Sequence, residues 1–136
     1  MKQIAIITGA SSGIGKRFAE TVNTAGDFDG VGVIARGIER LEALKETVPL
    51  PTRAIALDLS DKASYATLEK LLAEEKPNVR LLVNASGFGK FCATLDAPLD
   101  VNLNMVDLNC EAIVALCQLT IPYMEKGAGI INIASV

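Results

Sequence analysis

The sequence contains no histidine and no tryptophan. The first absence removes histidine-based catalytic triads, zinc sites built on imidazole and imidazole acid–base chemistry. Only 4% of the 136 residues are aromatic while 50% are apolar, so any core is aliphatic. That composition suits a parallel sheet covered by helices. Basic residues are not in excess. The 13 Lys and Arg against 16 Asp and Glu give a net charge of −3, and no basic patch stands out, so nucleic acid is not expected as a partner. The three cysteines, Cys92, Cys110 and Cys117, form no Cys-x-x-Cys. Cys110 and Cys117 stand seven apart in a helical stretch and are expected as buried thiols on one face, consistent with a reducing, cytoplasmic compartment. The opening residues offer one lysine and only about five apolar residues in a row, too few for a signal peptide or a membrane span, and no later segment is expected to reach a spanning length.

What remains is a regular alternation. Strands are predicted over 2–8, 30–35, 53–57, 79–83 and 129–134, each a short aliphatic run bounded by turn residues. Helices are predicted between them. The first covers 15–23, with Ile14, Phe18, Ala19 and Val22 on one face. The second covers 38–47, with Ile38, Leu41 and Leu44 inward. The third covers about 62–75, with Tyr65, Leu68, Leu71 and Leu72 inward and Ser60 placed as its cap. Residues 91–98 read as irregular. A long apolar periodicity through Val101, Met105, Leu108, Ala112, Leu116, Leu119 and Met124 reads as a fourth helix. Alternation of this kind implies a parallel sheet with right-handed crossovers in one domain, residues 1–136.

The first strand runs into Gly9-Ala10-Ser11-Ser12-Gly13-Ile14-Gly15. Glycines at this junction let the backbone turn tightly against a pyrophosphate, and the following helix N-terminus favours the anion. The same residues contain a Gly-x-Ser-x-Gly, but Ser11 has no histidine to act as its base, so a hydrolase is rejected. A P-loop is rejected too, because Ala10 and Arg17 stand where it needs Gly and Ser or Thr. After the second strand, Ala35-Arg36 occupies the place where an NAD site carries a carboxylate for the ribose 2′-hydroxyl. A guanidinium there binds a 2′-phosphate and points to NADP. Asp58, Asn84 with Gly87, and Ser135 follow the third, fourth and fifth strands, at the edge where ligands of such sheets bind. Asp58 suits an adenine amino group, the Asn84 segment the riboses, and Ser135 a substrate carbonyl.

Thr8 to Gly15, Asp58-Leu59, Asn84-Ala85-Ser86-Gly87, Asn109 and Ile131-Asn132-Ile133-Ala134-Ser135 together resemble, in order and over the whole chain, the signatures of the short-chain dehydrogenase/reductases. The resemblance implies a Rossmann-type, three-layer, doubly wound α/β fold with five strands in the order 3-2-1-4-5. It implies NADP(H) bound by Gly9, Ser11, Ser12, Gly13, Ile14, Gly15, Arg36, Asp58, Leu59, Asn84, Ala85, Ser86 and Gly87. Ser86 departs from the family's Asn-Ala-Gly. The resemblance also implies catalytic roles for Asn109, in organising a proton relay, and for Ser135, in orienting a carbonyl. The reaction implied interconverts a small-molecule carbonyl and alcohol, in a homo-oligomer with neither membrane nor nucleic acid as partner. The family's Tyr-x-x-x-Lys has no match. Tyr65 is followed four residues on by Glu69, and Tyr123 by Gly127. The chain is therefore expected to be an N-terminal portion, inactive alone, with an apolar patch open over strands four and five. A non-catalytic dinucleotide-binding module is the alternative function, and a flavodoxin-like domain binding FMN a more distant one.

Overall fold

A computed structural model describes residues 2–134; Ser135, expected at the substrate carbonyl, lies outside the described residues. Five parallel strands form one sheet, β1 (Gln3–Thr8), β2 (Gly30–Ala35), β3 (Thr52–Ala56), β4 (Asn78–Asn84) and β5 (Gly129–Asn132). Their spatial order is β3-β2-β1-β4-β5, as expected. Consecutive side chains of a strand point to opposite faces, and both faces are covered. On one, Ile7, Val31 and Val33 pack with Ala19 and Val22 of α1 (Gly13–Thr21) and the turn following it, and with Leu41 and Leu44 of α2 (Ile38–Ala43) and its tightened end. On the other, Ile6, Ile34 and Leu82 pack with Leu68 and Leu72 of α3 (Ala63–Glu75) and with Ala112 and Leu116. Each fully buried Leu, Ile or Val contributes about 1.5–3 kcal/mol relative to exposure, which is why the central strands read as unbroken aliphatic runs.

Several local expectations are corrected. Ile14 is 58% exposed and Ile38 is 44% exposed, where both were expected inward. In α1 the buried stripe is Gly15, Ala19 and, just beyond its end, Val22, a spacing of four then three. Gly15 lets the helix rest against the Gly9 carbonyl, and this rotates Ile14 away from the sheet. In the second helical segment Leu41, Leu44 and Val48 reach the core, and Ile38 sits on the opening turn at the rim. Ser60 does not cap α3. Its hydroxyl donates to Asp58 Oδ1 at 2.6 Å, and the Ala63 amide donates instead to Asp61 Oδ1 at 3.0 Å.

The long apolar periodicity becomes a continuous helix, Leu99–Tyr123, of 25 residues. By length and composition it is long and apolar enough to cross a membrane, contrary to the expectation that no segment reaches that length. Asp100, Asp107 and Glu111 interrupt its apolar runs, so contiguous stretches understate it. It comprises α4 (Leu99–Val106), a π-helical turn over Asp107–Glu111, α5 (Ala112–Thr120) and a closing 3-10 turn. The Ala112 amide donates to the Asp107 carbonyl five residues back. This wide turn inserts a residue and rotates the face that follows, so the fully covered positions are Ala112, Leu116 and Thr120. Leu103, Val106, Val114 and Ile121 stay exposed. Cys92 and Cys110 are exposed and Cys117 half-buried, against the expectation of buried thiols. The patch expected over the end of the sheet is present at β5, where Ile130 and Ile131 are 37% and 38% exposed, while β4 is buried on both faces.

Candidate functional site

The carboxyl ends of the strands open onto a cleft of about 340 Å³. Its floor is the turn between β1 and α1, contributing Gly9, Ser11, Ser12, Gly13 and Ile14. The Ala10 amide donates to the Ile34 carbonyl at 3.3 Å, which brings the turn beside the end of β2 and Arg36. Gly9 has φ +65°, and a Cβ on it would lie 2.5 Å from the Ala85 carbonyl oxygen. No other residue type permits both the left-handed backbone and that approach. Gly13 has φ +56°, and a Cβ on it would meet nothing within 4 Å, so it faces open cleft. Gly15 packs behind the turn, outside the cleft lining.

Arg36, Asp58 and Leu59 form one wall. Arg36 is exposed and makes no ion pair among the described residues. The Asp58-Leu59 segment is fastened from the α3 side. The Ser64 hydroxyl donates to the Asp58 carbonyl at 2.6 Å, and the Tyr65 hydroxyl donates to the Leu59 carbonyl at 2.9 Å. Burial, and then the nearby carboxylates of Glu111, Asp107 and Asp58, push the Tyr65 hydroxyl pKa upward, which keeps that donor protonated. Asp58 Oδ1 accepts from the Ser60 amide and hydroxyl, and Oδ2 has no partner among the described residues.

The opposite wall is Ala85, Ser86 and Gly87, with Phe88. Two side chains that the sequence does not single out as cleft-builders set it. Thr8 is 1% exposed, and its Oγ1 accepts from the Ala85 amide at 3.1 Å and the Ser86 amide at 3.2 Å. A threonine closing a buried aliphatic strand, just before the glycines, is the signal that marks it. The second is Asn109, expected in a proton relay. Its Oδ1 accepts from the Phe88 amide at 2.9 Å and its Nδ2 donates to the Phe88 carbonyl at 2.6 Å. Gly87 is small because a Cβ there would lie 2.6 Å from Asn109 Oδ1.

Asn84, expected to line the cleft, does not. It is 3% exposed, and its Nδ2 donates to Asn132 Oδ1 at 2.9 Å, joining β4 to β5. Ala35, Leu57, Leu108 and Ile133 complete the lining; Ile133 belongs to the segment after the fifth strand that carries the resemblance, while Leu57 and Leu108 have no motif to announce them. The cleft therefore offers close backbone approach at the glycines, two serine hydroxyls, a free guanidinium at one end and apolar flanks. Those features fit an extended dinucleotide, with Gly13 as the open cradle and Arg36 as the anion partner.

The sequence matches the family model described as short chain dehydrogenase over residues 3–136. It is 26% identical to an uncharacterized oxidoreductase of Staphylococcus epidermidis, over 99% of this chain and 59% of that protein. Among solved structures it is similar to a short-chain dehydrogenase from Sphingobium yanoikuyae in complex with NADPH, with TM-score 0.83, 29% identity and coverage of 98% of this chain and 54% of that one. It is likewise similar to a metagenomic short-chain oxidoreductase in complex with NADP, with TM-score 0.86, 29% identity and coverage of 98% and 62%. The chain thus spans just over half the length of these relatives.

Proposed function

The chain belongs to the short chain dehydrogenase family, and from that premise we propose that it is the NADP(H)-binding portion of an oxidoreductase interconverting small-molecule carbonyls and alcohols. The observation that carries the reading is Arg36. It is an unpaired guanidinium beside Ser12, at a position where a carboxylate would select a free ribose 2′-hydroxyl. The two similar structures that hold NADPH and NADP support the same cofactor. Gly9, Ser11, Ser12, Gly13 and Ile14 hold the pyrophosphate by backbone amides and hydroxyls, with Gly15 keeping the helix close. Ser12 and Arg36 take the 2′-phosphate, Asp58 Oδ2 and Leu59 the adenine, and Ala85 to Gly87 the riboses. Asn84 acts one layer behind, by fixing the end of β4. When bound, the nicotinamide supplies the hydride, and these residues supply position.

Asn109 positions the wall through Phe88, and Ser135 is assigned the substrate carbonyl by family position alone. No Tyr-x-x-x-Lys occurs among these residues, so binding without turnover is expected of this chain. The exposed row Leu103, Val106, Val114 and Ile121 supports a homo-oligomer, and the three free cysteines support a reducing, cytoplasmic setting. Neither nucleic acid nor membrane belongs to this reading.

Calorimetric titration with NADPH and NADH tests it. NADPH is expected to bind about 100-fold more tightly, and Arg36→Gln to bring the two within a few-fold. Equal affinities in the unaltered chain refute NADP(H) preference. With NADPH and a panel of ketones and aldehydes, cofactor absorbance is expected to hold steady, and its steady loss refutes the absence of turnover.

A further inference from the structure

Ser11 borders two recesses. One is the dinucleotide cleft, and the other is lined by Ser11, Lys16, Arg40, Ala43, Leu44 and Thr47 on the far side of the same turn. The second recess measures about 420 Å³, its residues coming from the Gly-rich turn, from α1, from α2 and from the segment after α2. No carboxylate lines it. Lys16 and Arg40 are exposed, and neither makes an ion pair among the described residues, whereas Lys45 nearby is bonded to Glu42 at 2.6 Å. Three unpaired cations, Lys16, Arg36 and Arg40, thus surround Ser11 and Ser12 in a chain of net charge −3. Like charges gathered at one turn repel, so their placement is unfavourable for the empty protein. An anion at the turn reverses that repulsion. A phosphate monoester presents three terminal oxygens, and one guanidinium fork engages two of them.

The geometry points to Lys16 and Arg40 as a second cationic wall for the ribose 2′-phosphate, reached over Ser11 and acting beside Arg36. This inference rests on the NADP(H) reading above and deepens it. Arg36 then sets the preference, and Lys16 and Arg40 set its size.

The experiment titrates the full chain and its Lys16→Gln, Arg40→Gln, Arg40→Lys and Arg36→Gln variants with NADPH, NADH and inorganic phosphate. Arg40→Gln and Lys16→Gln are each expected to weaken NADPH about 10-fold and NADH less than about 2-fold. A variant carrying both Lys16→Gln and Arg40→Gln, titrated alongside, is the double variant; it is expected to lose about 100-fold and to show a shallower salt dependence, while Arg40→Lys keeps most of the affinity. The inference is overturned if Arg36→Gln selectively weakens NADPH while the double variant does not. It is also overturned if both cofactors weaken equally, which marks a structural role, or if phosphate fills the recess without displacing NADPH, which marks a separate free-phosphate site. If Arg36→Gln leaves the NADPH to NADH ratio unchanged, the underlying cofactor reading fails instead.

Discussion

Thr8 offers a direct measure of how the cleft is held together. Its side chain is 1% exposed, and one oxygen accepts two amide protons, from Ala85 and Ser86. Thr8→Val keeps the shape and removes that acceptor. The two half-buried amides then lose their partner, at about 1–1.5 kcal/mol each, or about 2–3 kcal/mol together. Against a total stability of about 5–15 kcal/mol this is a large fraction. It corresponds to a fall of about 8–12 °C in Tm for a chain of this size. Thr8→Ser keeps the acceptor and loses one methyl group, at about 1 kcal/mol. Urea unfolding followed by circular dichroism, with unchanged m-values, separates the two. The valine variant should be the less stable of the pair. It should also bind dinucleotide more weakly, because the Ala85 to Gly87 wall is no longer fastened. A valine variant as stable as the unaltered chain, or more stable than the serine variant, refutes the account.

Leu116→Ala removes a side chain with no exposed surface from beneath α5 and should cost about 2–5 kcal/mol in urea unfolding. Tyr65→Phe deletes the donor to the Leu59 carbonyl and should cost about 1 kcal/mol. Because burial and neighbouring carboxylates raise the Tyr65 pKa in the folded state, its stabilisation is fully present below the unfolded tyrosine value near pH 10. It is lost as pH rises through the folded value, so unfolding curves above pH 10 should fall more steeply for the unaltered chain than for Tyr65→Phe. Val114→Asp, on the exposed side of α5, should weaken self-association in sedimentation experiments while leaving thermal stability within about 0.5 kcal/mol.

The strands were legible to within two residues at most ends because buried parallel strands must be aliphatic and must end in turn chemistry. The central runs β1, β2 and β4 satisfy both conditions, whereas β3 and β5 at the sheet edges hold no buried residue and are marked by their short apolar runs alone. The Gly-rich turn, Arg36 and Asp58 were legible as a set, because β-α alternation puts every strand end on one edge. Side-chain direction was less so. Periodicity assumes a regular helix, and the wide turn at Asp107–Glu111 breaks that assumption for the Cys110 and Cys117 pair. Asn84 illustrates a second limit. Whether an amide turns to a ligand or inward depends on a partner, Asn132, 48 residues away, which no local pattern encodes.

The distribution of satisfied and unsatisfied groups separates what builds the cleft from what the cleft offers. Thr8, Asn84, Asn109, Ser64 and Tyr65 each spend their polar atoms on backbone or side chains of another segment. Ser12 starts α1 with no side-chain capping bond, and Arg36 has no ion pair among the described residues. Hydrogen-bonding capacity left unspent around a cleft is capacity for a ligand, since a purely structural turn gains stability by using it. The contrast also bears on Asn109. Its donor and its acceptor are both engaged by Phe88, from within a wide helical turn that aims the side chain at the loop. That side chain fixes the shape of the wall, and it stands within the wide helical turn at Asp107–Glu111.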